Sequence, residues 1–151
     1  MIYLATDHRG FQLKEKIKQW LIEKNYPYED VGAFKYDKND DYPDFAYAAA
    51  VKIAVNPASD RGVFLCGSGM GMDVAANKVK GIRATVAYSQ ESVRHARTND
   101  DINVITLAGD ILDFNEAKVI VEVFLITEFS GEERHVRRLK KIEEVENRNF
   151  K

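Results

Sequence analysis

The chain has 151 residues, of which 45% are hydrophobic and 30% are charged, and this suits one globular domain over residues 1–151. A net charge of −2 gives no general signal for nucleic-acid binding, and no apolar run approaches the length of a membrane span. The single cysteine excludes an internal disulfide and the N-terminal segment lacks a signal-peptide pattern, so we expect a cytoplasmic protein.

Short apolar runs alternate along the chain with segments of helical periodicity. In chain order they predict a strand at 2–6, a helix at 11–24, a weaker strand at 28–31, a helix at 43–55, a strand at 62–66, a helix at 71–79, a strand at 82–87, a helix at 89–98, a strand at 103–107, and helices at 114–127 and 131–148. The last helix is rich in charge, which favours a helix that reaches toward a partner subunit.

This alternation indicates a parallel sheet that helices cover on both faces. Right-handed crossovers then predict a Rossmann-like three-layer α/β/α sandwich with about five strands and an extended C-terminal helix. Ligands of such folds bind beyond the carboxyl ends of the strands. We therefore expect the functional site among the loops that begin at Asp7, Cys66, Ala87 and Leu107.

The segment CGSGMG at residues 66–71 lies between a predicted strand and a predicted helix. Its three glycines allow tight turns, and the backbone amides of such a turn can bind an anion. The segment does not match a dinucleotide fingerprint, because Met72 stands where glycine is required, and no Lys-Ser/Thr pair of a P-loop follows. A plain tight turn is the alternative interpretation.

Cys66 ends the strand that precedes this loop. Free cysteines are commonly buried and inert, so simple packing is one interpretation. At a junction between a strand and a helix N-terminus, however, the reactive thiolate form is favoured. Removal of a proton beside a carbonyl needs a base and donors for the enediolate oxygen, and this one loop can supply both.

Asp7 and His8 follow the first strand in the segment TDHRGF. Asp7 could cap the next helix, and His8 could be an ordinary surface imidazole. In a doubly wound sheet, however, this loop should lie near the switch point and so beside the Cys66 loop.

The segment EERHVRRLKK places Arg134 and Arg138 one helical turn apart, where two guanidinium groups suit one phosphate. The alternative is a solvated basic face, and the flanking glutamates argue against nucleic acid. His95 lies on a polar helix. The three scattered histidines and the single cysteine show no metal-ligand spacing, so we expect no metal site.

Four segments together resemble the family of ribose-5-phosphate isomerase type B and galactose-6-phosphate isomerase over nearly the whole chain. They are TDHRGF, DDYPDFAYAAA, CGSGMGMDVAANKVKGIRA and ERHVRR, in this order. The resemblance implies an isomerase of sugar phosphates without a metal or organic cofactor. It also implies a homodimer or homotetramer whose active site is shared between subunits.

By this resemblance, Cys66 is the base that moves a proton between C2 and C1, interconverting ribose 5-phosphate and ribulose 5-phosphate through an enediolate. Ser68 contacts the reacting oxygens, and Asp7 and His8 line the sugar site. The residues at substrate-binding positions are Gly67, Gly69, Met70, Gly71, Tyr42, Asn99, Arg134 and Arg138. The two arginines are expected to hold the phosphate from the neighbouring subunit.

Two positions depart from the family pattern. Asn99 and Asp100 stand where many members have histidine and asparagine, and that histidine is credited with opening the furanose ring. Asn99 cannot act as an acid or base, so either His8 or His95 opens the ring, or the preferred substrate is already open. Asp110 replaces a basic residue that is frequent after the last strand, a change expected to weaken phosphate binding or to shift the substrate.

Several functions remain open at this point. The chain isomerises ribose 5-phosphate or another aldose phosphate, such as a tetrose or hexose phosphate. Alternatively, it binds sugar phosphates but is catalytically impaired, which Asn99 favours and the intact Cys66 loop opposes. A nucleotide-binding regulator is disfavoured, because the glycine spacing is wrong and no acidic residue follows at the ribose-binding distance.

Overall fold

Strands and helices alternate through the computed structural model, which describes residues 1–150. In chain order they are β1 (Ile2–Thr6), α1 (Phe11–Glu23), β2 (Tyr28–Asp30), α2 (Tyr42–Ile53), β3 (Arg61–Cys66), α3 (Met70–Ala76), β4 (Ala84–Val86), α4 (Gln90–Asp100), β5 (Val104–Ala108), α5 (Phe114–Ile126) and α6 (Glu133–Asn149). All the predicted elements are present, with slightly different bounds. The last residue of the predicted domain, Lys151, lies outside the described residues.

The five strands are parallel and lie in the order β2-β1-β3-β5-β4. The register sets Thr6 of β1 opposite Leu65 of β3, and Cys66 of β3 opposite Ala108 of β5. The chain leaves β1 toward β2 on one side and continues to β3 on the other. The switch point therefore lies between the carboxyl ends of β1 and β3, which is where ligands of this architecture bind.

Helices cover both faces of the sheet, because alternate residues of each central strand point to opposite sides. Leu4, Val63 and Leu65 belong to one apolar cluster with residues of α1, α4 and α5. Phe64 and Cys66 belong to the other cluster, with residues of α2 and α3. The predicted three-layer α/β/α sandwich is confirmed, and Cys66 points toward the layer that holds the helix following its own loop.

The C-terminal helix α6 packs on its own chain at the amino edge of the sheet. His135 in its first turn is buried, and near its end the carboxylate of Glu146 accepts a hydrogen bond from the amide of Gly81 at 3.2 Å. With 17 residues it is the longest helix, and no helix within residues 1–150 has both the length and the apolarity to cross a membrane. The expected contact of this helix with a partner subunit stays a prediction.

Candidate active site

Three loops meet at the carboxyl edge of the sheet, beyond β1, β3 and β5. The amide of Asp7 donates to a carbonyl of β3 at 3.4 Å. The amides of Gly109 and Asp110 donate to the carbonyls of Cys66 and Gly67, at 2.7 and 3.1 Å. These backbone hydrogen bonds continue the sheet past the strands, so three of the four loops expected from the sequence form one cluster.

Cys66 lies at the centre of this cluster and is only 4% exposed. The amide of Gly69 donates to its sulfur at 3.1 Å, because the loop turns back over the thiol. Gly69 has a φ of 80°, a left-handed conformation that favours glycine. The hydroxyl of Ser68 accepts from the amide of Met70 at 3.3 Å. The loop therefore supplies one backbone donor to the thiol and carries one hydroxyl.

The other two glycines of this loop make room for side chains from neighbouring segments. A Cβ on Gly67 would overlap the guanidinium group of Arg9, which lies across the loop from the β1 side. A Cβ on Gly71 would lie 2.6–2.9 Å from the ring of Tyr42, the first residue of α2. The structure thus brings the predicted residue Tyr42 to the loop, together with Arg9, which was not among the predicted site residues.

Asp7 is buried, and its carboxylate accepts from the amides of Arg9 at 2.9 Å and Gly10 at 3.3 Å. The N-cap of α1 is Gly10, so Asp7 closes the turn before the helix and does not cap the helix itself. Burial raises the pKa of Asp7, because the loss of hydration outweighs the two amide donors. The turn thereby holds a destabilised carboxylate beside the cysteine loop.

His8 is held by Asp40, a residue of the long loop between β2 and α2. Nδ1 of His8 lies 2.7 Å from Oδ1 of Asp40, and the same oxygen accepts from the His8 amide at 3.0 Å. Tyr36 contacts the imidazole edge to face, with ring centroids 6.2 Å apart. This arrangement fixes the ring and leaves Nε2 as the nitrogen that can meet a ligand.

Asp7, His8 and Asp40 also offer ligand atoms for a cation, all within 4.8 Å of one another. Oδ1 of Asp7 accepts from two backbone amides, and Nδ1 of His8 is directed at Asp40. Because Oδ1 of Asp7 and Nδ1 of His8 already have protein partners, the cluster is better described as a histidine–aspartate pair beside a buried carboxylate.

A further charged pair lies at the mouth of the cluster, where Nη2 of Arg9 bonds to Oδ2 of Asp110. Their side chains are 56% and 43% exposed. The hydrogen bond and the charge of Asp110 raise the pKa of Arg9, and the charges of Asp7 and Cys66 act in the same direction. Arg9 is therefore a permanent cation at the edge of the thiol loop.

Asn99, Arg134 and Arg138 lie at the opposite edge of the sheet. α4 starts beyond the carboxyl end of β4 and runs back, so its last turn reaches the amino edge. There the side chain of Arg83, just before β4, donates to the carbonyl of Asp100 at 3.1 Å. The segment before α6 bonds to the same end of α4. Within one chain, the structure does not bring these three residues to the cysteine loop.

Two residues of the site were missed at the sequence level. Arg9 is part of the segment TDHRGF, and its position next to Asp7 and His8 is a signal that could have identified it. Asp40 stands among several acidic residues of one loop, and no pattern indicates which carboxylate folds over His8. Conversely, the fourth expected loop, after Ala87, leads to Ser89, which caps α4.

Known proteins resemble this chain over nearly its whole length. Residues 2–142 match the family model described as Ribose/Galactose Isomerase. The ribose-5-phosphate isomerase B of Mycolicibacterium paratuberculosis is 41% identical over 145 residues, which cover 96% of this chain and 91% of the relative.

Solved structures agree with this match. Ribose-5-phosphate isomerase B from Mycoplasma genitalium, solved with bound ribulose 5-phosphate, has a TM-score of 0.93 at 40% identity and covers 97% of this chain and 95% of its own. The ribose 5-phosphate isomerase of Thermotoga maritima has a TM-score of 0.88 at 40% identity, over 95% of this chain and 97% of its own. The family predicted from the four sequence segments is confirmed: this chain belongs to the ribose/galactose isomerase family.

Proposed function

We propose that this chain is a cytoplasmic isomerase that interconverts ribose 5-phosphate and ribulose 5-phosphate, with Cys66 as the base. The observation that carries the proposal is a single buried thiol at the switch point, enclosed by a glycine loop whose amide donates to the sulfur at 3.1 Å. A relative with the same fold was solved with ribulose 5-phosphate bound. A thiol base must stay reduced, which supports the cytoplasm as its location.

The reaction moves one proton between two carbons. In the open aldose, the Cys66 thiolate takes the proton from C2, the electron pair forms the C1–C2 double bond, and O1 takes up the negative charge. The hydroxyl at C2 then gives its proton to O1, which leaves the negative charge on O2. As O2 forms the carbonyl with C2, the electron pair of the C1–C2 double bond takes the proton back from the thiol at C1. Ser68 lies in the same loop as the thiol, so its hydroxyl is suited to pass the proton between the two oxygens.

The loop amides supply the second requirement, stabilisation of the enediolate. The amide of Gly69 is engaged with the sulfur, so we take the amides of Ser68 and Gly71 in the same loop as the donors for the substrate oxygens. Donors that are fixed before the reaction favour the charge that develops in the transition state without further reorganisation.

Buried polar groups beside the loop suit the hydroxyls of a sugar. Oδ2 of Asp40 is buried and has no hydrogen-bond partner among the described residues. A buried carboxylate oxygen without a donor costs free energy, and a substrate hydroxyl would supply that donor. Tyr42 adds an aromatic side chain over Gly71, at the side of the pocket where α2 begins.

We assign ring opening to His8. Asp40 holds Nδ1 of this histidine, so Nε2 is the atom placed to exchange a proton with the ring oxygen. The alternative, His95, has its ring nitrogens 3.1 and 3.2 Å from the amide nitrogen of Asn99, and no carboxylate among the described residues orients it.

The phosphate ligands support an active site shared between two copies of the chain. Arg134 and Arg138 are exposed, and within residues 1–150 the ion pair of Arg134 is with the nearby Glu132, at 2.9 Å. Within one chain, these two arginines lie at the amino edge of the sheet and the cysteine loop lies at the carboxyl edge. In a homodimer, the smallest assembly that would serve, the carboxyl edge of one copy meets the start of α6 in the other.

Purified protein incubated with ribose 5-phosphate tests this function directly. We expect ribulose 5-phosphate to form, and Cys66→Ala to abolish most of the turnover. If the native protein converts no aldose phosphate but still binds ribose 5-phosphate, it is a binding protein and the proposed activity is wrong.

Asn99 favours one second candidate, a tetrose phosphate isomerase. The O4 of a tetrose 4-phosphate is esterified, so this substrate cannot close a five-membered ring and needs no ring-opening acid. Comparison of kcat/KM for erythrose 4-phosphate and ribose 5-phosphate decides between the two substrates. In Asn99→His, faster turnover of ribose 5-phosphate alone would show that ring opening limits the native protein.

A further inference from the structure

Arg9 lies directly over the loop that carries the thiol, and the chemistry described so far does not use it. Its guanidinium group occupies the space that a Cβ on Gly67 would need. Its backbone amide is fixed by the buried carboxylate of Asp7 at 2.9 Å. The turn after β1 therefore fixes the backbone of Arg9, while its guanidinium group remains about half exposed to solvent beside the loop.

Asp110 reaches the same place from the β5 loop. Its amide donates to the carbonyl of Gly67 at 3.1 Å, so its backbone is tied to the thiol loop. Its side chain bonds to Arg9, and both groups are about half exposed. An exposed ion pair of this kind contributes little to stability, so a ligand with a higher negative charge can replace the carboxylate at small cost.

The groups around Arg9 are mostly acidic, so a cation at this position would favour the binding of an anion. Asp7, Asp40 and Asp110 place three carboxylates around the cysteine loop. A sugar phosphate that enters this region meets repulsion from these carboxylates, and a cation beside them reduces it. Arg9 has the planar group with paired N–H donors that fits a phosphate.

We propose that Arg9 is a phosphate ligand of the substrate site, contributed by the same chain as Cys66, and that Asp110 is a counter-ion that the substrate phosphate displaces. The proposal rests on the proposed function, because it takes the anion to be the phosphate of a sugar phosphate. It makes the affinity for phosphate depend on a competition inside the protein. Asp110 lowers that affinity, and Arg9 adds to the affinity that Arg134 and Arg138 of a second copy are proposed to provide.

Steady-state kinetics with ribose 5-phosphate test the two roles. Arg9→Ala should raise KM tenfold to a hundredfold and change kcat less than threefold. Arg9→Lys, which keeps the charge but loses the fork, should recover only part of the affinity. Asp110→Asn should lower KM threefold or more, because the guanidinium is released for the substrate.

The double variant makes the coupling measurable. In the Arg9→Ala background, Asp110→Asn should no longer lower KM, since there is no arginine to release. Lys52→Ala is the matched control: it removes a cation from a similarly exposed pair with Glu29, away from the cysteine loop, and should leave KM unchanged. An unchanged KM in Arg9→Ala overturns the proposal, and so does a loss confined to kcat, which would place Arg9 at the thiolate.

Binding of inorganic phosphate separates this inference from the proposed function. Calorimetry on the native protein, Arg9→Ala and Asp110→Asn requires no turnover. Weaker phosphate binding in Arg9→Ala and tighter binding in Asp110→Asn support the roles even if ribose 5-phosphate is not converted. Equal binding by all three, or none by the native protein, contradicts them even if the native protein is an active isomerase.

Discussion

At the scale of single residues, the chemistry depends on the thiol of Cys66. Cys66→Ala or Cys66→Ser should lower kcat about 10²–10⁴-fold, the usual contribution of a positioned base, and leave KM almost unchanged. The serine variant is the closer control, because it keeps the shape of the side chain and replaces the thiol with a much weaker acid. Iodoacetamide should inactivate the native protein, and ribose 5-phosphate should slow this. Near-normal turnover of the alanine variant would contradict the assignment.

The second prediction concerns the hydrogen bond between Nδ1 of His8 and the carboxylate of Asp40. Asp40→Asn removes the carboxylate that orients Nδ1, so ring opening should slow. We expect kcat/KM for ribose 5-phosphate to fall roughly tenfold to a hundredfold, within the range of acid–base contributions, with a smaller effect on erythrose 4-phosphate. Equal losses for both substrates would show that Asp40 serves sugar binding alone. His95→Ala is the control and should have no effect on the ratio.

The third prediction concerns the effect of the buried Asp7 carboxylate on the stability of the protein. Because burial raises the pKa of Asp7 in the folded state, ionisation of this group opposes folding above that pKa. Asp7→Asn should therefore raise the free energy of unfolding at neutral pH, by about 1 kcal/mol for a site that gives up stability for function. As the pH falls through the raised pKa toward the unfolded value, the difference should vanish. Urea unfolding at several pH values measures this, and a gain independent of pH would exclude the carboxylate as its cause.

At the scale of the elements, a buried ion pair joins α1 to the end of β2. Nζ of Lys14, whose side chain is fully buried, lies 2.6 Å from Oδ1 of Asp30 and donates to the carbonyl of Ala33 at 2.7 Å. Lys18 lies 2.7 Å from the other carboxylate oxygen. Burial of Asp30 opposes its ionisation, but the two ammonium groups prevail and lower its pKa. The pair thereby holds the start of the loop that later supplies Asp40.

Removal of the buried partner should be costly. Lys14→Met leaves the Asp30 carboxylate and the Ala33 carbonyl short of a donor, and we expect a loss of about 3 kcal/mol in urea unfolding. Lys18→Met is the control, with an expected loss of about 1 kcal/mol or less for a partly exposed pair.

Since the folded pKa of Asp30 is lowered, its stabilising effect is present above the unfolded pKa and is lost as the pH falls. Lys14→Met should weaken that acid dependence, and similar losses in both variants would contradict the special role of the buried lysine.

At the scale of the whole molecule, the two groups of predicted site residues lie at opposite edges of one sheet. If a homodimer joins them, Arg134→Ala and Cys66→Ala chains should complement each other. A mixed dimer has one site with an intact thiol and an intact arginine, and one site with neither. After equal mixing and subunit exchange, about a quarter of the native activity should return, as two-fold symmetry with random pairing requires. No recovery despite proven exchange would exclude the shared site, and mixing Arg134→Ala with Arg138→Ala should recover nothing.

The sequence by itself determined the class of fold and the centre of the site. Strand and helix periodicities are local, and alternation of the two leaves few arrangements other than a doubly wound parallel sheet. The same rule sends the loops after β1, β3 and β5 to one edge, so the proximity of Asp7 and His8 to Cys66 could be predicted. The glycines at 67, 69 and 71 could be recognised from the sequence as a tight turn, and the close contacts at these positions explain why side chains are absent there.

Only the tertiary structure decided which side chains complete the site. Asp40 meets His8, and Arg9 meets Asp110 over Gly67, through contacts between residues far apart in sequence within irregular loops. No periodicity describes such loops, and several acidic residues compete for each cation. The docking of α6 at the amino edge likewise depends on burying one helix face against its own chain. For this reason the separation of the predicted phosphate ligands from the thiol within one chain, which supports the shared site expected from the family resemblance, emerged only from the folded chain.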